Sequence, residues 1–305
     1  MRVLITGSSG QIGTNLALHL LARGHMVFGD DVRPNPWTDA FPTLLQDLAA
    51  PFSDFRGGLG HAPYPPDLDA VVHFAAHAKV HELVQQPARA LENVTMTFNV
   101  LEFCRQNGLP ILFSSSREVY GDIHRYLTDE THADFAFTES PYSASKIAGE
   151  ALIYSYAQCY DLRYLVFRFS NVYGRYDVDI ERMERVIPLF IRRIARGEPI
   201  TIYGERKVLD FTYVDDCVAG VTLGLERLVG GALANQTINL AYGRGNSLVT
   251  LAETIGAALG GAPRLTLAPP RVGEVTHYVA DIARARALLG YEPRVPLEEG
   301  IPRAV

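Results

Sequence analysis

The residues best suited to chemistry in this sequence are a tyrosine and a lysine in the segment "YSASK". Tyr142 and Lys146 are four residues apart, a spacing that places both side chains on one face of a helix. A tyrosine with a pKa of about 10 is a poor base at neutral pH, but a neighbouring ammonium favours the phenolate. Ser116, at the end of "FSSS", can donate a hydrogen bond to the substrate oxygen whose proton Tyr142 removes. We therefore assign these three residues as the catalytic set.

Two charged residues, Arg117 and Glu118, follow Ser116 directly and leave the type of reaction open. Alternation along an extended strand would put Glu118 on the same side as Ser116, where it could act as a base. Arg117 cannot usefully donate a proton near neutral pH, so we expect it to contact a substrate carboxylate or hydroxyl. The alternative for both residues is an exposed polar contact beside the cleft.

A glycine-rich turn lies between the first strand and the first helix. In "TGSSGQIG", Gly7 permits the tight turn, Gly10 lets backbone N–H groups approach a pyrophosphate, and Gly13 allows close helix–strand packing. Gln11 and Ile12 belong to the same turn. This context predicts a dinucleotide-binding site.

An acid at the end of the second strand should bind the ribose of that dinucleotide. Asp30 and Asp31 both stand there, and we prefer Asp31. A carboxylate accepts hydrogen bonds from the ribose hydroxyls and repels a 2′-phosphate, so NAD is favoured over NADP. Arg33 nearby leaves NADP open. In "LQDL", Asp47 could accept a hydrogen bond from the adenine amino group beside Leu48, although a turn or helix-cap role fits its spacing equally well.

The elements that position these residues alternate between apolar strands and helices. Strands such as "RVLIT", "AVVHFAA" and "RYLVFRF" are continuously apolar, which is typical of a parallel sheet covered on both faces. We predict an α/β fold, a Rossmann-type doubly wound parallel sheet with a smaller C-terminal substrate-binding lobe. Residues 1–170 would form the NAD-binding domain, with a returning segment near 207–241, and residues 171–305 would form mainly the second lobe.

Composition excludes several classes of function. The 305 residues carry a net charge of −6 without long runs of one sign, which argues against nucleic acid or an anionic membrane as partner. Three cysteines without CxxC spacing argue against a disulfide framework or a zinc site, and the histidines show no metal-ligand clustering. With no apolar run long enough to span a bilayer and a strand predicted from residue 2, we expect a soluble, cytoplasmic protein without a metal.

Taken together, the motifs resemble a known family. "TGSSGQIG", "SSSREVYG", "PYSASKIAGE", "RFSNVYG" and "LDFTYVDDCVAG" are similar to those of the extended short-chain dehydrogenase/reductases that act on nucleotide-diphosphate sugars. The resemblance is greatest to the UDP-glucose 4-epimerase-like branch. It implies a bound NAD that takes a hydride from C4 of a UDP-sugar and returns it to the opposite face of the 4-keto sugar. It also implies a homodimer formed by the helices near Asn99 and Ile153.

The resemblance also assigns roles to further residues. It places Ala75 and Asn93 around the cofactor, together with Asp31 and Asp47. Asn171 would contact the sugar or its diphosphate, and Arg271 would hold the diphosphate. Many relatives have an arginine directly before "DF", where this chain has Leu209, so Lys207 or Arg206 would replace that phosphate contact.

Two other functions remain open on the sequence. Sugar 4,6-dehydratases of this fold carry an Asp-Glu pair where this chain has Arg117 and Glu118, and UDP-glucuronate decarboxylases keep the glutamate. A decarboxylase or dehydratase would use Glu118 as its base. Alternatively, Arg117 binds the carboxylate of a uronate substrate. The distant alternative is a non-catalytic nucleotide-sensing protein, although such proteins typically lose the Tyr-Lys pair.

Overall fold

The computed structural model describes residues 1–52, 64–65, 67–121, 127–133, 135–177, 185–270 and 275–305. The strands in these ranges are β1 (Arg2–Thr6), β2 (Met26–Asp31), β3 (Thr43–Leu45), β4 (Ala70–His73), β5 (Ile111–Ser116), β6 (Tyr164–Phe169), β7 (Asn171–Tyr173), β8 (Ile200–Tyr203), β9 (Val208–Tyr213), β10 (Gln236–Leu240), β11 (Gly245–Ser247), β12 (Leu265–Ala268) and β13 (His277–Tyr278).

The α-helices in the same ranges are α1 (Gln11–Ala22), α2 (Val80–Gln85), α3 (Ala88–Asn107), α4 (Pro141–Tyr160), α5 (Val186–Ala195), α6 (Val214–Val229), α7 (Leu248–Ala258), α8 (Ala283–Leu289) and α9 (Leu297–Ala304). Short 3₁₀ turns cover Arg117–Tyr120, Glu130–His132 and Phe135–Phe137. Within the described residues, no helix is both long enough and apolar enough to cross a membrane.

Seven strands form one parallel sheet in the order β10-β6-β5-β4-β1-β2-β3. Chain order reverses between β1 and β4, so the carboxyl ends of these two strands flank the crevice where doubly wound sheets bind ligands. This topology confirms the predicted Rossmann-type fold.

Helices cover both faces of this sheet, as the apolar strands predict. On β1, Val3 and Ile5 pack in one core with Leu16 of α1, whereas Leu4 packs in a second core with Val100 of α3 and Ile153 of α4. Successive residues of a strand point to opposite faces, so a strand buried on both sides has no polar face.

The second lobe is built on β9, which pairs in parallel with β7 and β13 and antiparallel with β11. A separate parallel pair joins β8 to β12. The predicted domain boundary after residue 170 falls between β6 in the main sheet and β7 in this second sheet. The predicted returning segment, 207–241, contains β9, which pairs in the second lobe. In that segment α6 and β10 rejoin the main sheet, and α8 packs against both of them.

The glycine-rich turn requires glycine at two of its positions. Gly7 has a φ of +71°, and a Cβ there would lie 2.7 Å from the backbone nitrogen of Ala75. A Cβ on Gly13 would lie 2.8 Å from the Cα of Ser8 and would collide with the carbonyl oxygen of Gly7. The first turn of α1 therefore lies directly against the end of β1, with no room for a side chain between them.

We expect Gly13→Ala to lower the free energy of unfolding by ~1–3 kcal/mol, because the new methyl group must displace backbone atoms. The matched control is Gly261→Ala, where a Cβ meets no atom within 4 Å. That substitution should change stability by less than ~0.5 kcal/mol. Chemical denaturation of both variants checks the prediction, and equal stabilities for the two would contradict it.

Candidate active site

A cavity of about 890 Å³ opens at the carboxyl ends of β1, β4 and β5 and extends to the second lobe. Most of the residues predicted from the sequence to bind or react line it: Gly7, Gly10, Gln11, Ile12, Gly13, Asp31, Asp47, Leu48, Ala75, Ser116, Arg117, Glu118, Tyr142, Lys146, Asn171 and Lys207. Three predicted residues are not among them, and one of these, Arg206, is exposed outside the cavity lining. Asn93 is buried but does not line the cavity, and Arg271 lies outside the described residues.

Helix α4 presents Tyr142 and Lys146 to this cavity from its first two turns. The helix starts there because Ser140 and Ser143 cap each other reciprocally and Pro141 occupies the first helical position. The Lys146 ammonium donates to the Ser114 carbonyl oxygen at 2.7 Å and lies 5.9 Å from the centre of the Tyr142 ring. The lysine thus ties the helix to the end of β5.

Ser116 completes this group from the last position of β5. Its side chain hydrogen-bonds the Tyr142 hydroxyl, which lowers the tyrosine pKa, while burial raises that pKa more strongly, to about 12. Burial lowers the pKa of Lys146 to about 8, and the Glu150 carboxylate opposes that shift. Lys146 is therefore still a cation at neutral pH, and Tyr142 needs further positive charge in the site before it can act as a base.

The Arg117–Tyr120 segment forms a 3₁₀ turn, so the strand alternation expected to orient Glu118 does not extend past Ser116. The turn starts because the Ser116 hydroxyl accepts a hydrogen bond from the Glu118 backbone N–H at 3.2 Å. Arg117 and Glu118 both line the cavity, and they pair with each other at 2.8 Å. The guanidinium of Arg117 also lies 5.9 Å from the ring centre of Tyr278 in β13.

The two acids after β2 have different environments. Asp30 is fully buried, and its carboxylate accepts hydrogen bonds from Gln46 and Tyr64, while burial raises its pKa to about 6. Asp31 accepts the backbone N–H of Ser9 at 3.0 Å and that of Arg33 at 3.2 Å. These contacts join Asp31 to the glycine-rich turn, and its ribose contact stays a prediction.

Asp47 and Asn93 also have internal partners. The Asp47 carboxylate accepts the Ala49 backbone N–H at 2.9 Å, which is the turn role that its spacing allowed. Asn93 bridges the His77 backbone and the hydroxyl of Ser145, so it holds the loop after β4 against α4. Its support of the site is indirect, through the loop that carries Ala75.

On the second lobe, Asn171 donates to the Asp210 carbonyl oxygen at 2.9 Å. Asp210 itself is buried, and its carboxylate accepts the backbone N–H groups of Tyr242 and Gly243. The acid of the "DF" segment therefore stabilises the lobe rather than facing the ligand. Lys207 lines the cavity two residues before Leu209, where we expected a replacement phosphate contact.

One pair that lines the cavity was not predicted from the sequence. Arg185, just before α5, pairs with Asp177 at 3.0 Å and hydrogen-bonds Gln11 of the glycine-rich turn. It joins the second lobe to the cofactor side of the cavity. No spacing or motif in the sequence indicates this pair. No metal-ligating cluster is found among the described residues.

A buried ion pair supports the catalytic group from behind. Arg168 of β6 and Glu150 of α4 are both 4% exposed, and their side chains meet at 2.6 Å. Glu150 also accepts hydrogen bonds from Ser115 and Tyr154, and Arg168 donates to the Tyr120 hydroxyl. Tyr142, Lys146 and Glu150 follow one another at four-residue spacing on one helical face. Glu150 holds that face against β6 through Arg168 and against β5 through Ser115.

Known proteins are similar to this chain along its whole length. A family model described as the NAD dependent epimerase/dehydratase family matches residues 3–241. The chain is 32% identical over 319 residues to the UDP-glucose 4-epimerase of Mycolicibacterium smegmatis, in an alignment that covers 100% of this chain and 97% of that protein. Among solved structures, it is similar to a UDP-glucose 4-epimerase with UDP-glucose from Thermotoga maritima, with a TM-score of 0.89, 29% identity and coverage of 100% and 97%. It is also similar to the UDP-glucose 4-epimerase of Thermus thermophilus in complex with NAD, with a TM-score of 0.86, 31% identity and the same coverage.

We expect Arg168→Met to lower the free energy of unfolding by ~3–5 kcal/mol, because it leaves the Glu150 carboxylate buried without its cation. The double variant R168M/E150Q should recover part of that loss. The control is Arg23→Met, which removes the exposed Arg23–Glu226 pair and should cost no more than ~1 kcal/mol. Guanidinium denaturation measures all three, and a single variant as stable as the double variant would contradict the role assigned to the pair.

Proposed function

The chain belongs to the NAD-dependent epimerase/dehydratase family, and within it we propose that the protein is an epimerase that inverts C4 of a UDP-sugar. The observation that carries this proposal is the convergence of Ser116, Tyr142 and Lys146 on one end of a cavity. The glycine-rich turn after β1 and Asp31 at the end of β2 line the same cavity. A dinucleotide spanning the cavity would present its reactive ring to the tyrosine.

The residues on the cofactor side fit NAD. Gly7 and Gly13 bring the start of α1 against the end of β1, so that backbone N–H groups of this turn face a pyrophosphate. Asp31 would accept the adenosine ribose hydroxyls, and its negative charge disfavours a 2′-phosphate, so NAD is preferred to NADP. When bound, NAD accepts a hydride from C4 and returns it to the opposite face of the sugar.

The chain's own residues handle the proton. Tyr142 as phenolate removes the proton of the C4 hydroxyl, and Ser116 holds the same oxygen by a hydrogen bond. Lys146 keeps a positive charge within 5.9 Å of the tyrosine ring, and this charge stabilises the phenolate that burial alone disfavours. On the return step the tyrosine hydroxyl gives the proton back, so the epimer is formed with no net change in redox state or mass.

The diphosphate of the substrate is assigned to the second lobe. Asn171 and Lys207 line the cavity there, and they supply an amide and a cation for the phosphate oxygens. Arg206 is the alternative cation. Arg271 is proposed for the same role from its motif alone. The nucleotide would thus be held by the second lobe while the sugar lies between Ser116 and the cofactor.

The rival within the family is elimination or decarboxylation with Glu118 as the base. Glu118 does line the cavity, which favours this alternative. An elimination of water also needs an acid, and the residue beside Glu118 is Arg117, whose guanidinium does not release a proton near neutral pH. Glu118 is also ion-paired with Arg117, and this pairing makes its carboxylate less available as a base. Epimerisation therefore remains the first choice.

The test is incubation of the purified protein with UDP-glucose and UDP-glucuronate, read by mass spectrometry and proton NMR. We expect a product of unchanged mass with inverted C4. Tyr142→Phe should lower kcat by ~10²–10⁴-fold while NAD still binds, because only the proton-transfer group is lost. A product lighter by water or carbon dioxide would instead make Glu118 the base and overturn the proposal.

A homodimer and a cytoplasmic location are also proposed. Leu91 is 70% exposed and Phe98 is 42% exposed on the same face of α3, and an apolar face of this kind favours a partner helix. The interface is thus assigned to the outer faces of α3 and α4, since Asn99 and Ile153 themselves are buried within the protomer. Three free cysteines, Cys104, Cys159 and Cys217, fit a reducing compartment.

We expect L91D/F98D to be monomeric by light scattering, because two carboxylates in the contact would need to be desolvated. Leu127→Asp is the control, since this residue is 43% exposed but lies on neither helix. It should leave the dimer intact. A wild-type protein that is monomeric at micromolar concentration would contradict the dimer.

A further inference from the structure

Two ion pairs lie near Tyr142. Each contains one of the two guanidinium groups that interact electrostatically with its phenol. Arg117 pairs with Glu118 at 2.8 Å, and Arg185 pairs with Asp177 at 3.0 Å. Both arginines lower the pKa of Tyr142, and Glu118 raises it. Each of these two guanidinium charges is therefore paired with a carboxylate of the protein.

The Arg117–Glu118 pair lies at the end of β5 and is largely removed from solvent. Its side chains are only 13% and 6% exposed, and both residues line the cavity. The Glu118 backbone is fixed by its hydrogen bond to Ser116, and the Arg117 guanidinium lies near the Tyr278 ring. An ion pair that is preorganised in this way presents a fixed charge pattern to whatever sugar lies against Ser116 and Tyr142.

Substituents next to the reacting carbon have the strongest electrostatic interaction with these two charges. A hexose carries a neutral hydroxymethyl group on C5, whereas a hexuronate carries a carboxylate there. A net positive charge in the cavity wall would favour a carboxylate, and the charge of Arg117 is already offset by that of Glu118. The Glu118 carboxylate would also repel a second negative charge at short range.

We propose that the Arg117–Glu118 pair determines substrate selectivity, by making the cavity wall beside the reacting carbon neutral and so favouring UDP-hexoses over UDP-hexuronates. This inference rests on the proposed function and deepens it. It also reverses the expectation, drawn from the sequence, that Arg117 selects a uronate. Because Arg117 is paired with Glu118, it would no longer favour a substrate carboxylate.

The decisive variant is Glu118→Gln, which keeps the shape of the side chain and removes only its charge. With Arg117 uncompensated, the ratio of kcat/KM for UDP-glucuronate to that for UDP-glucose should rise at least about tenfold, chiefly through KM. Arg117→Met leaves Glu118 unpaired and should shift the same ratio in the opposite direction. The matched control is Glu226→Gln, which neutralises the carboxylate of the exposed Arg23–Glu226 pair and should leave the ratio unchanged.

The pH profile supplies an independent readout. The polar groups near Tyr142 come from four elements. They are Ser116 of β5, Arg117 and Glu118 of the 3₁₀ turn, Arg185 before α5, and Lys146 of α4 itself. Because Glu118 raises the pKa of Tyr142, Glu118→Gln should move the acid limb of kcat for UDP-glucose to lower pH. Arg117→Met should move it to higher pH, since the arginine lowers that pKa.

Dissociation constants of both UDP-sugars for the NAD-loaded protein separate this inference from the proposed function. If the wild type turns over neither sugar but the ratio of dissociation constants shifts as stated, the proposed epimerase activity fails and the selectivity inference holds. If the wild type is an epimerase but Glu118→Gln changes both sugars equally, the selectivity inference is overturned alone. A wild type that prefers UDP-glucuronate would also overturn it.

Discussion

The active site depends on one buried ion pair, between Arg168 of β6 and Glu150 of α4. Two opposite charges removed from water hold their positions only when the remaining donors and acceptors are also satisfied. Here Ser115, Tyr120 and Tyr154 supply those hydrogen bonds, so neighbouring elements are joined at one point. Tyr120 also donates to Asn239 in the edge strand β10, which extends the network across the sheet. The catalytic face of α4 is therefore aligned against β5 by a polar network, and apolar packing alone would define that alignment less sharply.

The second constraint is the balance of charge around the tyrosine. A buried phenol resists ionisation, and Lys146 loses part of its own affinity for a proton through burial. The site adds two arginines that lower the tyrosine pKa, but each is paired with a carboxylate. Lys146 and, when bound, an oxidised cofactor would supply further positive charge for the phenolate. Such a site would be most reactive when the cofactor is in place, which suits an enzyme that must return the hydride it has taken.

The features that could be predicted from the sequence are those set by residues close together along the chain. The parallel sheet follows from continuously apolar strands, the turn around Gly7 follows from its position between strand and helix, and Tyr142 and Lys146 follow from helical spacing. Three features could not be predicted in this way. Asn93 lies beside the predicted cofactor loop but acts by bracing it, β9 belongs to the second lobe, and Arg185 had no motif at all. Each outcome depends on which distant segment lies nearby, and spacing along the chain carries no such information.

The sequence by itself determined the fold class and the glycine-rich turn, and it singled out the residues proposed as catalytic, because periodicity and short motifs encode local geometry directly. It also determined that Arg117 and Glu118 stand next to the reacting groups. Only the tertiary structure decided how that pair is arranged. The 3₁₀ turn ends the strand at Ser116 and brings the two side chains together, and Tyr278 from the second lobe closes over the arginine. The charge that a substrate meets is a sum over groups from several elements, and that sum exists only once the chain has folded.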